Sequence, residues 1–312
     1  MWLSWPTPTG GREVADNIKA PSIHSPKSLA DLVTEKGKDP SLRIFAGGSY
    51  IMSRPFFYTD GSGDDIISIT QIPELTKISQ TDRFLEAGAC VTVEHLLNSG
   101  SYLMGKETFK AITSIASSMI RSQATIGGAL CTPDTRFFLS CILSTIGAQV
   151  EIRLLSKRGF KGRKITSSQM WLPVSKLYNN EGVFLYENKA ILTKVRIPAK
   201  TNNVHVFKTL GNPMRETDST VFFGFEYTPV PNGISHPTLC LVFPKNGFFQ
   251  NLDFSNQLSS LILPPNPQQI EDMAGILEKK LEENCPSATP IQKERSRRLF
   301  ISTLYQISQG IV

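Results

Sequence analysis

The sequence lacks the motifs that carry most side-chain catalysis and most metal sites. Its four histidines and five cysteines form no HxxxH or CxxC pair. Zinc and iron–sulfur ligation within the chain are therefore not expected. The nucleophile elbow GxSxG is absent too, and no acid–base pair stands out. We therefore expect neither catalytic side chains nor a bound metal ion.

Long hydrophobic runs are also missing. No run approaches the roughly 18 apolar residues that a membrane-spanning helix needs. The first residues show no basic segment followed by an apolar stretch, so no secretory signal peptide is expected. The cysteines are odd in number and widely spaced, which favours a reducing compartment and hence the cytoplasm. They are Cys90, Cys131, Cys141, Cys240 and Cys285.

Charge is spread along the chain, with a formal net charge of +6. One short basic cluster, at residues 293–298, falls on a predicted C-terminal helix. Such a cluster is typical of a solvated helix face, and no nucleic-acid-binding motif accompanies it. We therefore expect no nucleic-acid partner.

The 312 residues exceed the length of one average domain. Up to about residue 200 short apolar strands alternate with helical patterns, which favours mixed α/β units. Beyond that point three strand patterns and then two helical patterns follow, which predicts an antiparallel sheet with helices. The expected parts are an N-terminal arm (1–20), two α/β subdomains (21–75 and 76–202) and a C-terminal domain (203–312).

The predicted elements follow from apolar spacing and from capping residues. The helices are expected at 28–37, 92–100, 106–119, 137–147, 267–284 and 293–310. The strands are expected at 42–45, 65–69, 83–89, 148–156, 190–198, 204–210, 219–227 and 238–244.

Two Gly-Gly pairs stand out, in "RIFAGGSY" (43–50) and in "RSQATIGGALC" (121–131). Glycine lets the backbone adopt positive φ and approach a ligand closely, and consecutive N–H groups in such a turn can converge on an anion. Ser49 or Thr125 could add a hydroxyl donor. Neither pair matches a dinucleotide fingerprint or a Walker loop, and a tight turn alone explains each pair taken singly. Together the two loops could hold a pyrophosphate.

Several segments occur in the order and spacing of one known family: "RIFAGGSYIMS", "SITQIPELTKI", "FLEAGACVTVEHLLNS", "IRSQATIGGALC", "GAQVEI" and "ILTKVRIP". Over about residues 20–310 the chain resembles the FAD-binding subunit of molybdenum hydroxylases. That family includes the medium subunit of carbon monoxide dehydrogenase and the flavin domain of xanthine dehydrogenase. The resemblance implies an α+β fold. Two α/β subdomains of the vanillyl-alcohol-oxidase or PCMH type would sandwich FAD, and a C-terminal domain with a three-stranded antiparallel sheet and helices would follow.

The resemblance also assigns cofactor-binding residues by position. Leu192 would lie by the flavin ring and Lys208 near the flavin edge, although Leu192 also fits a core position and Lys208 a surface strand. The two glycine loops would hold the pyrophosphate of FAD. Their residues are Ala46, Gly47, Gly48, Ser49 and Tyr50 in the first loop, and Ala124, Thr125, Ile126, Gly127 and Gly128 in the second.

The chain departs from the family directly after the second glycine pair. Family members usually continue with Asn or Asp and then carry an acid that contacts the cofactor. Here Ala129 and, without a gap, Phe138 stand at those two positions. A shift of register would let Asp134 contact the ribityl or ribose hydroxyls instead. Each lost polar contact would cost about 1 kcal/mol of binding free energy.

The resemblance implies a role in electron transfer, with the chemistry carried by the cofactor. A molybdopterin-binding large subunit would oxidise the substrate. Electrons would pass through a small subunit with [2Fe-2S] clusters to FAD, and then to NAD or another acceptor. The alternative is a degenerate member that acts as a structural or assembly subunit with weak or no FAD binding. An unrelated binding role also stays open.

Overall fold

Three β-sheets follow one another along the chain in the computed structural model. The structure describes residues 22–53, 65–100, 104–132, 138–158, 164–199, 202–212, 217–231 and 233–310. The expected N-terminal arm lies outside these ranges. Within them, no helix is long and apolar enough to cross a membrane.

The first sheet is parallel, in the order β1-β3-β2. Helix α1 begins after Ser28, whose side chain accepts a hydrogen bond from the backbone N–H of Asp31 at 3.1 Å. This is the capping that the sequence predicts. The helix runs one residue past the expected stop at Gly37. The elements are β1 (Ile23–His24), α1 (Leu29–Lys38), β2 (Arg43–Phe45), β3 (Ile66–Ser68) and α2 (Pro73–Thr76).

The second sheet has five antiparallel strands in the order β4-β5-β8-β6-β7. One of its faces packs on helix α7, all of whose residues are buried. The strands are β4 (Ile78–Gln80), β5 (Phe84–Gly88), β6 (Gln149–Arg158), β7 (Lys164–Pro173) and β8 (Ala190–Pro198). The helices are α3 (Val93–Gly100), α4 (Lys106–Thr113), α5 (Ser118–Arg121), α6 (Ile126–Leu130) and α7 (Phe138–Thr145).

The single helix expected at 106–119 is wrong, because it is divided into α4 and α5. Serines cause the division. The hydroxyl of Ser114 donates to the Ala111 carbonyl at 2.7 Å at the end of α4, and the side chain of Ser117 accepts from the N–H of Ile120 to start α5. Serine competes with the helical backbone for hydrogen bonds and therefore favours helix ends.

The C-terminal sheet is antiparallel in the order β12-β11-β10-β9, so the described residues contain four strands where three are expected. The extra strand is short and joins β11 through a tight turn in which Lys245 has φ 68°. The elements are β9 (Val204–Leu210), β10 (Val221–Val230), β11 (Gly233–Phe243), β12 (Gly247–Phe249), α8 (Leu252–Leu258), α9 (Pro267–Asn284) and α10 (Pro290–Ser308).

Both faces of the central strand β10 are buried along most of its length. Phe222 and Val242 belong to the core that surrounds α7, whereas Phe223 and Phe225 pack among the C-terminal helices. Alternation along β10 therefore joins two cores through one strand. The ring of Phe138 stacks on Phe222 at 5.2 Å between centroids, which ties α7 to this sheet.

We expect Phe138→Ala to lower the free energy of unfolding by about 3–5 kcal/mol, since it empties a buried site shared by two layers. Urea denaturation would measure this change. Met119→Ala, at a side chain that is 77% exposed, serves as the control and should change stability by less than about 0.5 kcal/mol. Equal small effects of the two substitutions would contradict this account of the core.

Candidate cofactor-binding site

A cavity of about 510 Å³ lies between the first sheet and the segments that surround the second sheet. One wall consists of residues that follow the carboxyl ends of β2 and β3, such as Ala46 and Ile69. Ligands of open parallel sheets bind at this end of the strands. The opposite wall comes from the segments at 115–132 and 184–192. The cavity is thus built by segments far apart in the sequence.

The two glycine loops meet at this cavity. Gly47 lies so close to the second loop that a Cβ atom built there would be 1.8 Å from the carbonyl oxygen of Gln123 and 3.3 Å from the Thr125 methyl group. No side chain fits in that gap. Gly47 is therefore required for the backbones of the two loops to touch.

The first loop presents open backbone donors. Gly48 has φ +69°, which glycine adopts without strain. The N–H groups of Gly47, Gly48 and Ser49 donate to no atom in the described part of the chain. All three residues line the cavity. Consecutive unpaired amides around a left-handed residue form an anion-binding nest.

The second glycine pair lies in the short helix α6 and not in a tight turn. Thr125 forms only an isolated bridge to Thr92, and its side chain then caps helix α6 by accepting from the N–H of Gly128 at 3.1 Å. The N–H of Gly127 donates to the Ala89 carbonyl at 2.9 Å. Both glycine amides are therefore engaged within the protein. The hydroxyl hydrogen of Thr125 has no acceptor among the residues described.

The glycines of the second loop have packing roles. A Cβ at Gly127 would lie 2.8 Å from the Ala89 side chain and 2.9 Å from the Ala89 carbonyl oxygen. Gly128 is exposed, and within 4 Å a Cβ there would meet only the Thr125 hydroxyl, at 2.8 Å. Of the four glycines in the two loops, Gly128 therefore has the fewest atoms close to the position of a Cβ, and it borders the cavity.

The donors and the apolar lining of the cavity fit a phosphate-bearing aromatic ligand. The three free amides of the first loop and the Thr125 hydroxyl would hold the phosphates, while apolar walls would contact the flat rings. Ile191 is 1% exposed and Leu192 6% exposed, and both line the cavity beside Phe184 and Tyr186. Apolar lining with a few convergent polar groups is typical of cofactor sites.

Most residues that the resemblance assigns come together in this cavity. Ile126 does not, because it is fully buried in the core below the second loop. Lys208 is not among the lining residues, and its Nζ donates to Oε1 of Gln306 at 3.0 Å. Asp134 lies outside the described residues. The residues that line the cavity are Ala46, Gly47, Gly48, Ser49, Tyr50, Ala124, Thr125, Gly127, Gly128 and Leu192.

The wall beyond the second loop is nearly free of charge. Ala129, Cys131 and Thr132 line it, and burial raises the pKa of the Cys131 thiol to about 12. That thiol therefore stays protonated and neutral. Phe138, at the position of the family's acid, is turned into the core against Phe222 and Phe207. No described carboxylate replaces it on this wall.

Charged residues that the motifs do not indicate also line the cavity, namely Lys36, Arg43, Arg121 and Glu187. Arg121 is committed to the protein: it pairs with Glu94 at 2.8 Å and donates to the carbonyls of Thr113 and Ala116. It thereby holds the break between α4 and α5, which forms part of the wall. For Lys36 the sequence does carry a signal. It continues the apolar face of Leu29, Leu32 and Val33 at helical spacing.

A family model described as "FAD binding domain in molybdopterin dehydrogenase" matches residues 17–200, more than half of the chain. Among curated proteins, abscisic-aldehyde oxidase from Arabidopsis thaliana is 26% identical over 185 residues, which is 57% of this chain and 13% of that protein. Probable aldehyde oxidase 3 from Oryza sativa subsp. japonica is 31% identical over 101 residues, 30% of this chain and 7% of that protein. The matched regions are thus small parts of these relatives.

Solved structures show the same fold over nearly the whole chain. A chain of carbon monoxide dehydrogenase from Hydrogenophaga pseudoflava gives a TM-score of 0.72 at 16% identity, covering 94% of this chain and 98% of that chain. A chain of quinoline 2-oxidoreductase from Pseudomonas putida 86 gives a TM-score of 0.69 at 16% identity, with the same shares covered. At these identities the likeness concerns the fold.

We expect the glycine substitutions to divide into two classes. Gly47→Ala should lower the melting temperature, because its methyl group meets the Gln123 carbonyl and must push the loops apart. Gly128→Val should lower the melting temperature less, because its Cβ meets only the Thr125 hydroxyl, and should weaken ligand binding, because its side chain extends into the cavity border. Thermal denaturation and FAD titration would measure the two effects. Equal melting temperatures for the two variants would contradict this division.

Proposed function

Because the chain belongs to the family of FAD-binding domains of molybdopterin dehydrogenases, we propose that it binds FAD in the 510 Å³ cavity and serves as the electron-transfer unit of a molybdenum hydroxylase. FAD is the cofactor that membership in this family indicates. The observation that carries the proposal is the first loop, whose three open amides line a cavity at the carboxyl ends of parallel strands.

In this proposal the protein binds and orients the cofactor. The amides of Gly47, Gly48 and Ser49 hold the pyrophosphate together with the Thr125 hydroxyl, and Leu192 contacts the flavin ring. Fixed backbone dipoles stabilise the phosphate charge without reorganising. Asp134 and Lys208 remain proposed contacts to the ribityl or ribose hydroxyls and to the flavin edge. The bound FAD supplies the redox chemistry.

The partners are proposed on the same basis. A small subunit with [2Fe-2S] clusters would deliver electrons, a molybdopterin-binding large subunit would oxidise the substrate, and NAD or another compound would accept the electrons.

The cellular location and the domain division are proposed as well. None of the five cysteines forms a disulfide, which supports a cytoplasmic location. The separate sheets support a division into 21–75, 76–202 and 203–312.

One observation favours a second candidate, a structural or assembly subunit that binds FAD weakly or not at all. Gly47 and Gly127 are required by contacts within the protein, so they would be retained even without a ligand. Ala129 also stands where the resemblance implies Asn or Asp. The two candidates predict opposite results when FAD is added.

We expect the purified protein, incubated with excess FAD and desalted, to retain the visible absorbance of a flavin and to change the fluorescence of FAD in titrations. A melting temperature that rises with FAD concentration would give independent support, since a ligand that binds only the folded state stabilises it. Absence of bound colour, of a fluorescence change and of a thermal shift would favour the structural candidate.

The substitution Ala129→Asn tests whether the departure from the family sequence at this position weakens FAD binding. Ala129 lines the cavity, and Asn is a residue that the resemblance implies there. One added hydrogen bond should tighten FAD binding by about fivefold, equivalent to about 1 kcal/mol. Isothermal titration with FAD would measure the affinity. Ala129→Val, which adds volume without a polar group, is the matched control and should not tighten binding. Equal affinities of the Asn variant and the unsubstituted protein would remove this position from the site.

A further inference from the structure

Lys36 is a buried cation at the edge of the cavity. Its side chain lies on the inner face of α1 and the residue is only 2% exposed, although it lines the cavity. All three N–H groups of its ammonium find acceptors. Nζ donates to the carbonyl oxygens of Pro40 and Leu42 at 2.6 Å each, and to Oδ1 of Asn188 at 2.9 Å.

These acceptors are all neutral. Within the described ranges, no carboxylate forms an ion pair with Lys36. The nearest acids are Asp39, whose carboxylate accepts from the backbone and the hydroxyl of Ser41, and Glu187 at the cavity. Burial lowers the pKa of Lys36, and these two acids only partly oppose the effect. A buried ammonium without a counter-ion is unfavourable unless a negative charge comes close.

The position of Lys36 joins the two walls. Pro40 and Leu42 lead into β2 and the first glycine loop, whereas Asn188 belongs to the turn before β8. Asn188 itself has φ 59° and lines the cavity. The ammonium therefore sits where the two units face the same ligand space, fixed by three hydrogen bonds.

We propose that Lys36 is the buried counter-charge for the anionic group of the ligand that this cavity holds, acting through its field rather than through a direct hydrogen bond. The inference rests on the proposed function, since it takes the ligand to be a phosphate-bearing flavin. Charge attraction in a partly buried site is far stronger than in water. Lys36 is thus a specificity-determining residue that favours FAD over a flavin without phosphates.

The experiment compares FAD with riboflavin, which carries the same ring system without phosphate. In the full chain, Lys36→Gln should weaken FAD binding by about tenfold or more and change riboflavin binding by less than about twofold. Lys36→Arg, which keeps the charge, should retain the preference for FAD. Lys38→Gln is the matched control, because Lys38 is exposed on the same helix and its charge is screened by solvent.

A purely structural role for Lys36 gives a different result. If the residue only anchors Pro40 and Leu42, Lys36→Gln should weaken both flavins by the same factor, and that outcome overturns the proposal. Should this variant not fold, Asn188→Asp provides a second route. It places a carboxylate beside the ammonium at an exposed position and should lower the FAD-to-riboflavin affinity ratio. An unchanged ratio would overturn the proposal as well.

Inorganic pyrophosphate separates this inference from the proposed function. If the unsubstituted protein binds no flavin, the proposed function fails, yet pyrophosphate should still raise its melting temperature and raise that of Lys36→Gln less. Equal pyrophosphate shifts in the two proteins, or no shift in either, count against the counter-charge role. If the unsubstituted protein binds flavin but Lys36→Gln weakens FAD and riboflavin binding by the same factor, only the proposed role of Lys36 fails.

Discussion

The contact between the backbones of the two glycine loops is the constraint on which the cavity depends. A Cβ atom at Gly47 would lie 1.8 Å from the Gln123 carbonyl oxygen, so only glycine allows the first unit to reach the second. Gly47 lies two residues after the end of β2, and Gln123 lies two residues before Thr125, the cap of α6. This contact therefore fixes the end of a strand in the first sheet against the start of a helix beside the second sheet. The cavity is the space that remains beside it.

The two loops contribute to this cavity in different ways. The amides of Gly47, Gly48 and Ser49 are open to a ligand, whereas those of Gly127 and Gly128 are engaged by Ala89 and Thr125. A symmetric two-loop grip on phosphate is therefore not what the geometry supports. One loop donates hydrogen bonds, and the other supplies a rigid surface with a hydroxyl. Lys36, which lies outside both loops, adds a buried positive charge at the edge of the cavity.

Much of the fold could be predicted from the sequence where local signals are strong. Helix α9 matches its expected range, 267–284, because Asn266 and Gln269 form a capping box and Pro267 begins the helix. Strand β8 matches because Pro198 ends a clear apolar pattern. The division of α4 from α5 was missed because apolar spacing continues across Ser114 and Ser117. Strand β12 was missed because three residues carry too little pattern.

The candidate site could be predicted only as far as its backbone motifs extend. The glycine pairs indicate a close approach, but the sequence does not say what approaches, and here the partner of Gly47 and of Gly127 is protein backbone. The glycines are therefore evidence for the fold first and for the ligand second. What argues for a ligand is the group of donors left over after this packing. Three open amides and a buried ammonium without a carboxylate partner among the described residues lie around one cavity. An anion bound beside these groups would accept from the open amides and would offset the charge of an ammonium whose neighbouring acids oppose its burial only in part.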